Sequence, residues 1–429
     1  MTASSPDGAR PEVVITGFGA LTPVGNDVPS TWRALLDGRS GIAPIAAFDS
    51  ARLQVHVAAE VKGFDPGFLD TRIRRRTARF SQLALAAARE AVADAGLKLA
   101  DDEQADGVPA DRVAVLVNNT VAGFDTIEQA TRRIAEDDQT RLSPYFVSSS
   151  LTNMPACEVA IDLGAHGPVN ASALACASGV EAFLAARRLI VAGEADVVVC
   201  GGTDAAITPV IFTGLQGMGA LSRNQRDPAT VSRPFDADRD GFVFGEGAVV
   251  GVVESAAHAR ARGATPYARI LGGALTADAF HVTAPDPEGR YAALAITRAL
   301  AAAGVAPDEV DYVCAHGTST TANDRTETIA IRSAYGSSAD DLAVSSPKSM
   351  VGHLIGAAGA LGVLVCALAV RDGRVPPTIN LDTPDPQCDL DYVPHVSRER
   401  RTEVAVTNAF GFGGQNCVAV LAKASLAKP

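Results

Sequence analysis

Short runs rich in valine and isoleucine alternate with alanine-rich stretches along most of the chain. The apolar runs, typical of buried strands, are EVVITG (12–17), RVAVLV (112–117), ADVVVCGG (195–202), AVVGVVE (248–254), VDYVCA (310–315), LAVSS (342–346), EVAVTN (403–408) and CVAVLA (417–422). The alanine-rich stretches, typical of helices, are SQLALAAAREAVADAG (81–96), GVEAFLAARRLIVAG (179–193), RYAALAITRALAAAG (290–304) and TETIAIRSAYG (326–336). Continuous apolar strands separated by helices predict an α/β fold whose sheet is covered on both faces.

One uncharged segment, Leu354–Val370, reads LIGAAGALGVLVCALAV. It falls just short of the roughly 18 apolar residues that a membrane span needs. A helix that is apolar all round is otherwise buried on every side. We therefore predict a central core helix here, and no membrane partner.

The two halves of the chain have a similar order of predicted elements. In the first half a strand leads to Cys176 and then to an apolar helix that ends near Gly193; in the second, a strand leads to His353 and an apolar helix that ends near Gly373. This pattern suggests a duplicated fold. We divide the chain into a disordered tail (1–10), an N-terminal half (11–265) that carries the cysteine, and a C-terminal half (266–429) that carries two histidines.

Composition narrows the classes of function. The 429 residues are 47% hydrophobic and 20% charged, which is ample for a large core. A net charge of −12 argues against nucleic acid or an anionic membrane as the main partner. The seven cysteines form no CxxC pair, so neither a disulfide framework nor a zinc site is predicted. With no apolar leader at the start, the pattern indicates a cytoplasmic protein with reduced thiols.

Cys176 lies among small residues in SALACASGVEA (172–182), just before a predicted helix. A helix N-terminus stabilises a thiolate through its dipole and its unpaired N–H groups. Small neighbours also permit a substrate to approach the backbone. From these residues alone, a buried structural thiol and a nucleophile both remain open.

Two histidines lie where strands end. His316 follows the strand VDYVCA and begins the hydroxyl-rich stretch HGTST, whereas His353 ends KSMVGH at the start of the uncharged helix. The positive end of a helix dipole disfavours imidazolium, so His353 is expected to be a neutral hydrogen-bond donor to a developing oxyanion. Lys348 is a charged residue in an apolar region and needs a partner of opposite charge, which we predict to be Glu327.

The stretch NAFGFGGQN (Asn408–Asn416) alternates phenylalanine with glycine. One interpretation is a flexible loop with apolar plugs, whose backbone N–H groups form an oxyanion hole. The other is a bulged strand end.

Taken in order, the cysteine, the histidine, the Lys-x4-His pair and the GFGG segment form a specific combination. Over nearly its whole length the chain resembles the β-ketoacyl-acyl carrier protein synthases, condensing enzymes of the thiolase superfamily. The motifs that carry the resemblance are VVITGFGALTPVGN, RPFDADRDGFVFGEGA, HGTST, KSMVGH, DLDYVP and NAFGFGGQN. The resemblance implies a thiolase-like five-layered αβαβα fold with two pseudo-symmetric halves, and an obligate dimer.

The resemblance also implies the chemistry. Cys176 would take an acyl chain from an acyl carrier protein as a thioester. His316 and His353 would hold a malonyl thioester, promote loss of CO2 and stabilise the enolate that attacks the Cys176 thioester. No metal or redox cofactor is implied, because the 4′-phosphopantetheine arrives on the carrier protein.

Further roles follow from the same resemblance. It assigns the oxyanion hole to the N–H groups of Cys176 and Phe412, gating to the Phe412 side chain, and a supporting ion pair to Lys348 and Glu327. It assigns pantetheine contacts to Thr318 and Thr320, and further substrate contacts to Phe410 and Val121. Carrier proteins of this class are acidic, so Arg72, Arg74, Arg75 and Arg76 are expected to form a local basic docking surface, the alternative being an ordinary solvated face.

Several departures leave the pathway open. The chain has VNNTVAGFD (117–125) where a Gly/Ser-rich stretch is usual, CASG where CTSG is commoner, and Gln415 where threonine is commoner. We expect an elongating synthase of fatty acid or polyketide synthesis. The close alternative is a type II polyketide ketosynthase subunit that pairs with a chain length factor. A non-catalytic chain-length-factor subunit and a biosynthetic thiolase are less favoured.

Overall fold

The computed structural model describes residues 11–98, 107–136 and 141–424, so the predicted tail over residues 1–10 lies outside the described residues. Its strands are β1 Val13–Leu21, β2 Ala43–Pro44, β3 Val57–Ala58, β4 Val113–Asn118, β5 Val169–Asn170, β6 Val197–Asp204, β7 Gly247–Ser255, β8 Ala268–Ala277, β9 Tyr312–Cys314, β10 Ala343–Ser345, β11 Arg374–Val375, β12 Arg398–Glu399, β13 Val404–Gly411 and β14 Gln415–Lys423. Its α-helices are α1 Val28–Leu36, α2 Thr71–Arg76, α3 Arg79–Asp94, α4 Phe124–Glu136, α5 Phe146–Ser150, α6 Met154–Leu163, α7 Ser178–Ala192, α8 Pro209–Gly217, α9 Ala256–Ala261, α10 Arg290–Ala303, α11 Thr321–Tyr335, α12 Lys348–Val351 and α13 Ala358–Asp372.

Every apolar run named above lies on a strand, and every alanine-rich stretch lies on a helix. The hydrophobic pattern does not predict β8. Along this strand buried residues alternate with partly exposed ones, and two glycines interrupt it, so no continuous apolar run marks it. A strand that is exposed along one side can be predicted only from the alternation of apolar and polar residues. In β8 the two glycines interrupt this alternation.

The main sheet repeats one topology twice. The N-terminal strands are ordered β5-β4-β6-β7-β1, and the C-terminal strands β10-β9-β13-β14-β8. In each half the first three strands run parallel and the last two pair antiparallel. Antiparallel pairing of Val14 and Ile15 with Arg269 and Ala268 joins the halves. The predicted pseudo-symmetric duplication is confirmed, while the division at residue 265 stays a prediction.

Helices cover both half-sheets and fill the space between them. Helices α3 and α6 pack on the N-terminal strands from outside, and α10, with α11 behind it, packs on the C-terminal strands. Helices α7 and α13 lie between the two half-sheets and contact each other. This order of layers is the predicted αβαβα arrangement.

The central layer buries the uncharged segment. The stretch Ile355–Asp372 is long and apolar enough to cross a membrane, yet 89% of it is buried inside the protein. It is the predicted core helix, because every residue of α13 from Ala358 to Val370 is buried.

Two glycines allow the central helices to touch through their backbones. A Cβ atom on Gly179 would lie 2.3 Å from the Ala360 nitrogen, and one on Gly359 would lie 2.7 Å from the Val180 nitrogen. Any larger residue would separate the helices. Because both contacts fall in the first turn of each helix, the segments that carry Cys176 and His353 are brought together.

Candidate active site

Cys176 lies in a 3₁₀ turn, Ala175–Ala177, that leads directly into α7. The turn begins with Ala175 in the left-handed region at φ 46°. Ser178 holds it, because its hydroxyl donates to the Ala175 carbonyl at 2.7 Å and accepts from the Leu174 N–H at 2.8 Å. The thiol is buried at 8% exposure and lies at the start of a long helix, as predicted.

The stretch Asn408–Asn416 forms a β-hairpin, so the expectation of a flexible loop is wrong. Strand β13 runs to Gly411 and β14 begins at Gln415, and their pairing continues to the turn. Gly411 lies against the cysteine turn, since a Cβ there would be 3.1 Å from the Cys176 nitrogen. The backbone N–H groups of Phe412 and Cys176 both act on the thiol, because each lowers the pKa of Cys176. Two N–H groups beside one sulfur are suited to stabilising an oxyanion that forms there.

Burial dominates the electrostatics of the thiol. It raises the pKa of Cys176 to about 11, although Lys348 and the two N–H groups lower it. The group is therefore a protonated thiol at neutral pH. The helix start does not by itself produce a resident thiolate.

His316 is pinned through its backbone from two sides. The Glu327 carboxylate accepts the N–H groups of His316 at 2.8 Å and Gly317 at 2.7 Å, and also binds the Asn408 amide at 3.1 Å. On the other side, the Lys348 ammonium donates to the His316 carbonyl at 2.5 Å.

The predicted Lys348–Glu327 ion pair is therefore wrong as a direct contact. No salt bridge joins the two residues, both of which lie in the described part of the chain. The physical reason is that each group is already satisfied by the backbone around His316. Glu327 acts on the ammonium only through space, where it opposes the lowering of the Lys348 pKa by burial.

His353 has a fixed tautomer. The Ile355 N–H donates to its Nδ1 at 3.1 Å, so the ring proton resides on Nε2. Nε2 is buried and has no partner among the described residues. Burial, followed by Lys348, holds the pKa of His353 well below its usual range. The ring is thus a neutral donor in the wall of the cavity described below, and its neutral state is as predicted.

The thiol and the two imidazoles converge. The sulfur of Cys176 and one ring nitrogen each of His316 and His353 lie within 4.8 Å of one another. The two rings meet edge to face at a centroid distance of 5.4 Å. The pKa of His316 is also held low, by burial and then by Lys348 and His353. Such a donor set could hold a soft metal by distance alone, but the Nε2 proton of His353 makes that ring a donor instead of a ligand.

These groups open into a cavity of about 490 Å³. The predicted substrate contacts Thr318, Thr320, Phe410, Phe412 and Val121 all line it. Its apolar lining includes a group from one hydrophobic cluster, namely Val121, Ile211, Leu215, Phe242, Phe244 and Ile355. Its polar lining includes Asp278, Asp286, Thr318, Thr320, Asn323 and Asn416. The cavity therefore offers one surface for a hydrocarbon chain and another for an amide-bearing group.

The four predicted surface arginines form the short helix α2, separate from the helix that follows. Arg72, Arg74 and Arg75 are exposed. Arg76 is instead bound to the buried Glu158 at 2.7 Å, so its charge is neutralised locally. The arginines lie apart from the cavity lining.

Two buried aspartates that shape the site are not among the residues predicted from the sequence. Asp324 is fully buried and accepts the N–H groups of Thr318 and Phe235, which orients the HGTST segment. Asp204 ends β6 and binds backbone N–H groups beside both helix starts. A carboxylate directly after a buried parallel strand was the available signal for Asp204.

The family models of β-ketoacyl synthases match most of the chain. The model "Beta-ketoacyl synthase, N-terminal domain" covers residues 10–259, and "Beta-ketoacyl synthase, C-terminal domain" covers residues 267–382. Among curated relatives, "3-oxoacyl-[acyl-carrier-protein] synthase 2" of Synechocystis sp. is 44% identical over 95% of this chain and 97% of its own length. The protein of the same name from Staphylococcus aureus is 44% identical over 96% of this chain and 98% of its own length.

Solved structures give the same picture at lower identity. The ishigamide ketosynthase/chain length factor is 36% identical, with a TM-score of 0.89 over 97% of this chain and 100% of that one. A type II polyketide ketosynthase, solved with its acyl-carrier protein and bound to the hexaketide, is 30% identical, with a TM-score of 0.88 over 97% of this chain and 100% of that one.

Proposed function

The chain belongs to the β-ketoacyl synthase family, and we propose that it is an elongating 3-oxoacyl-[acyl-carrier-protein] synthase that condenses malonyl units with a cysteine-bound acyl chain. The observation that carries the proposal is the convergence of Cys176, His316 and His353 within 4.8 Å in one cavity. A nucleophile and two neutral donors are what acyl transfer followed by decarboxylation requires.

In the first half-reaction, the Cys176 sulfur attacks the carbonyl carbon of an acyl thioester on the carrier protein. The tetrahedral oxyanion is stabilised by the N–H groups of Cys176 and Phe412. The carrier's pantetheine sulfur leaves and takes up the proton that the cysteine thiol gives up. A new thioester on Cys176 is formed as the carrier thioester is broken.

In the second half-reaction, the Nε2–H of His353 and the ring of His316 hold the thioester carbonyl of a malonyl carrier. The malonyl carboxylate leaves as CO2, and its bonding electrons form an enolate that the imidazoles stabilise. The enolate carbon attacks the Cys176 thioester, and the cysteine sulfur leaves and takes up a proton from solvent, which restores the thiol. Lys348 and Glu327 support this step by pinning the backbone of His316 on opposite sides.

The cavity lining supports the assignment of substrates. The apolar surface around Val121 accommodates the acyl chain, and the hydroxyl groups of Thr318 and Thr320 contact the pantetheine arm. Phe412, at the hairpin turn and 37% exposed, gates access between them. The chemistry uses no further cofactor, because the pantetheine arrives as part of the substrate.

The proposed carrier-protein surface is the exposed part of α2. Arg72, Arg74 and Arg75 keep their charges in solvent and suit an acidic partner, whereas Arg76 serves the internal pair with Glu158. The proposed assembly is a homodimer, and the proposed location is the cytoplasm.

The test is to purify the chain alone and supply a short acyl thioester with malonyl carrier protein. Formation of a 3-oxoacyl carrier protein together with CO2 is expected. Mass mapping after treatment with a thiol electrophile should find the modification on Cys176. Modification at any of the other six cysteines with Cys176 untouched would count against the proposal.

The structural relatives favour one alternative, a ketosynthase subunit that works only with a chain length factor. It predicts a soluble but inactive lone chain that gains activity with a partner. The higher identity to the synthase 2 enzymes favours the homodimer. A non-catalytic subunit has no need of a nucleophile at this position. A thiolase needs a second cysteine at the site, and among the described residues Cys176 is the only cysteine that lines the cavity.

A further inference from the structure

Asp204 ends β6 with a fully buried side chain that accepts three backbone N–H groups. Its Oδ2 accepts from Thr120 at 3.0 Å and from Gly356 at 2.7 Å, and its Oδ1 accepts from Val121 at 3.0 Å. No arginine or lysine pairs with it among the described residues. A buried carboxylate that accepts three backbone N–H groups ties together the segments that supply them.

The first of these segments orients His353. Gly356 directly follows Ile355, whose N–H donates to His353 Nδ1. Ile355 is a β-branched residue in the left-handed region at φ 53°. Such a conformation is strained for a β-branched residue and persists only where the surroundings enforce it. The Asp204–Gly356 hydrogen bond lies next to the strained residue and fixes the direction of its N–H.

The second segment reaches the nucleophile and the cavity wall. The Thr120 hydroxyl donates to the Ala175 carbonyl at 2.9 Å, in the turn that holds Cys176. Val121, the next residue, lines the apolar part of the cavity. One carboxylate therefore connects the imidazole turn, the cysteine turn and the acyl wall.

Two glycines leave the room that the backbone needs to approach the Asp204 carboxylate. A Cβ on Gly356 would lie 2.6 Å from Asp204 Oδ2, and a Cβ on Gly202 would lie 2.3 Å from the Gly356 carbonyl. Both positions need glycine so that β6 and the turn can approach.

We propose that Asp204 is a positioning residue: its carboxylate holds the Ile355–Gly356 turn, and thereby keeps the His353 proton on Nε2, where it faces the reacting thioester. The proposal rests on the proposed function. Asp204 touches no substrate and acts through His353. Its charge also raises the pKa of Cys176, so its removal should make the thiol more reactive while it impairs the imidazole.

The wild-type protein gives the first test. Long-range ¹⁵N NMR of histidine-labelled protein at pH 8, assigned by comparison with His353→Gln, should show His353 protonated on Nε2. A proton on Nδ1 would overturn the proposal, whether or not any variant folds.

The second test uses Asp204→Asn, in which the amide NH2 must face at least one of the three N–H groups. The rate of malonyl decarboxylation (kcat) should fall at least tenfold, with a less than twofold change in KM. Alkylation of Cys176 should be as fast as in wild type or faster. In the NMR experiment, His353 should populate both tautomers.

The matched control is Glu90→Gln. Glu90 is another carboxylate that accepts backbone N–H groups, from Ala20 at 2.9 Å and Val28 at 2.8 Å, and burial raises the pKa of Glu90, like that of Asp204, to about 7. It lies on α3, outside the cavity lining, so kcat should stay within twofold. A smaller than tenfold loss in Asp204→Asn, or an equal loss in Glu90→Gln, would overturn the proposal. Absence of condensation by the wild-type protein would instead count against the proposed function.

Discussion

The segments that begin α7 and α13 have similar backbone conformations but different chemical roles. Each begins with a left-handed residue, Ala175 at φ 46° and Ile355 at φ 53°, continues as a 3₁₀ turn, and runs into a 15-residue central helix. The helices end at the left-handed glycines Gly193 and Gly373. Duplication has thus produced two helix N-termini side by side, each of which attracts negative charge.

The two turns differ in what occupies the second position. In the first turn this residue is Cys176, which lines the cavity and whose N–H, like that of Phe412, acts on the thiol. In the second it is Gly356, whose N–H is taken by the protein's own carboxylate, Asp204. One helix start is left free for a transient anion of the substrate, and the other is filled so that it can hold His353. A symmetric scaffold thus supports an asymmetric reaction, because one of its two equivalent helix starts is occupied by the protein's own carboxylate.

The largest effect is expected for Cys176→Ala, which removes the nucleophile from the first turn and leaves the second turn intact. Condensation should fall by at least about 10³-fold, because the covalent intermediate cannot form. Malonyl decarboxylation should persist, since His316 and His353 remain in place. The measurement is separate assay of 3-oxoacyl product and released CO2. Undiminished condensation would show that the nucleophile is another residue.

The reciprocal change is His353→Gln, which leaves the cysteine turn intact. Loss of one aligned donor should lower decarboxylation and condensation by about 10²–10³-fold. Acylation of Cys176 by an acyl thioester should change little, and mass spectrometry of the acyl-enzyme checks this. An equal loss of acylation and of decarboxylation would mean that the two turns do not serve separate half-reactions.

A pH series separates the two turns without mutation. Because burial raises the pKa of Cys176 to about 11, the thiolate fraction should rise about tenfold per pH unit from pH 7 to pH 9. The rate of alkylation by iodoacetamide should follow this slope. The pKa of His353 is lowered by burial, so its ring stays neutral and adds no step in this range. A plateau near the ordinary cysteine pKa of about 8.5 would contradict the prediction.

The smallest effect is expected on stability, from Gly356→Ala. The new Cβ would lie 2.6 Å from Asp204 Oδ2 and 2.9 Å from the Asn119 Cα atom, so overpacking should cost about 1–3 kcal/mol. Thermal unfolding should show a lower midpoint. Gly214→Ala is the control, because that helical glycine has open space around it and alanine favours the helix. A midpoint for Gly356→Ala at or above that of wild type would show that the turn is not tightly packed.

Much of the fold follows from local patterns. Strands such as β6 and helices such as α13 are apolar over most of their length, so only a buried position suits them. The half-exposed β8 escapes detection because its signal is alternation interrupted by glycine. The residues of the candidate site also fall into two groups. Those next to glycine or at helix starts can be recognised from the sequence, whereas Asp204 and Asp324 function through contacts with distant backbone, which the sequence does not reveal.

Hydrophobic period and chain order are enough to predict the α/β layering, the duplication, the central buried helix and the placement of Cys176 and His353 at helix starts. Three other features depend on contacts between distant segments: NAFGFGGQN is a hairpin, Lys348 and Glu327 bind the backbone of His316 instead of each other, and Arg76 is neutralised by Glu158. The physical reason is that a buried charge takes whichever partner packing brings within hydrogen-bond distance, and backbone groups that compete for it carry no signature in the sequence.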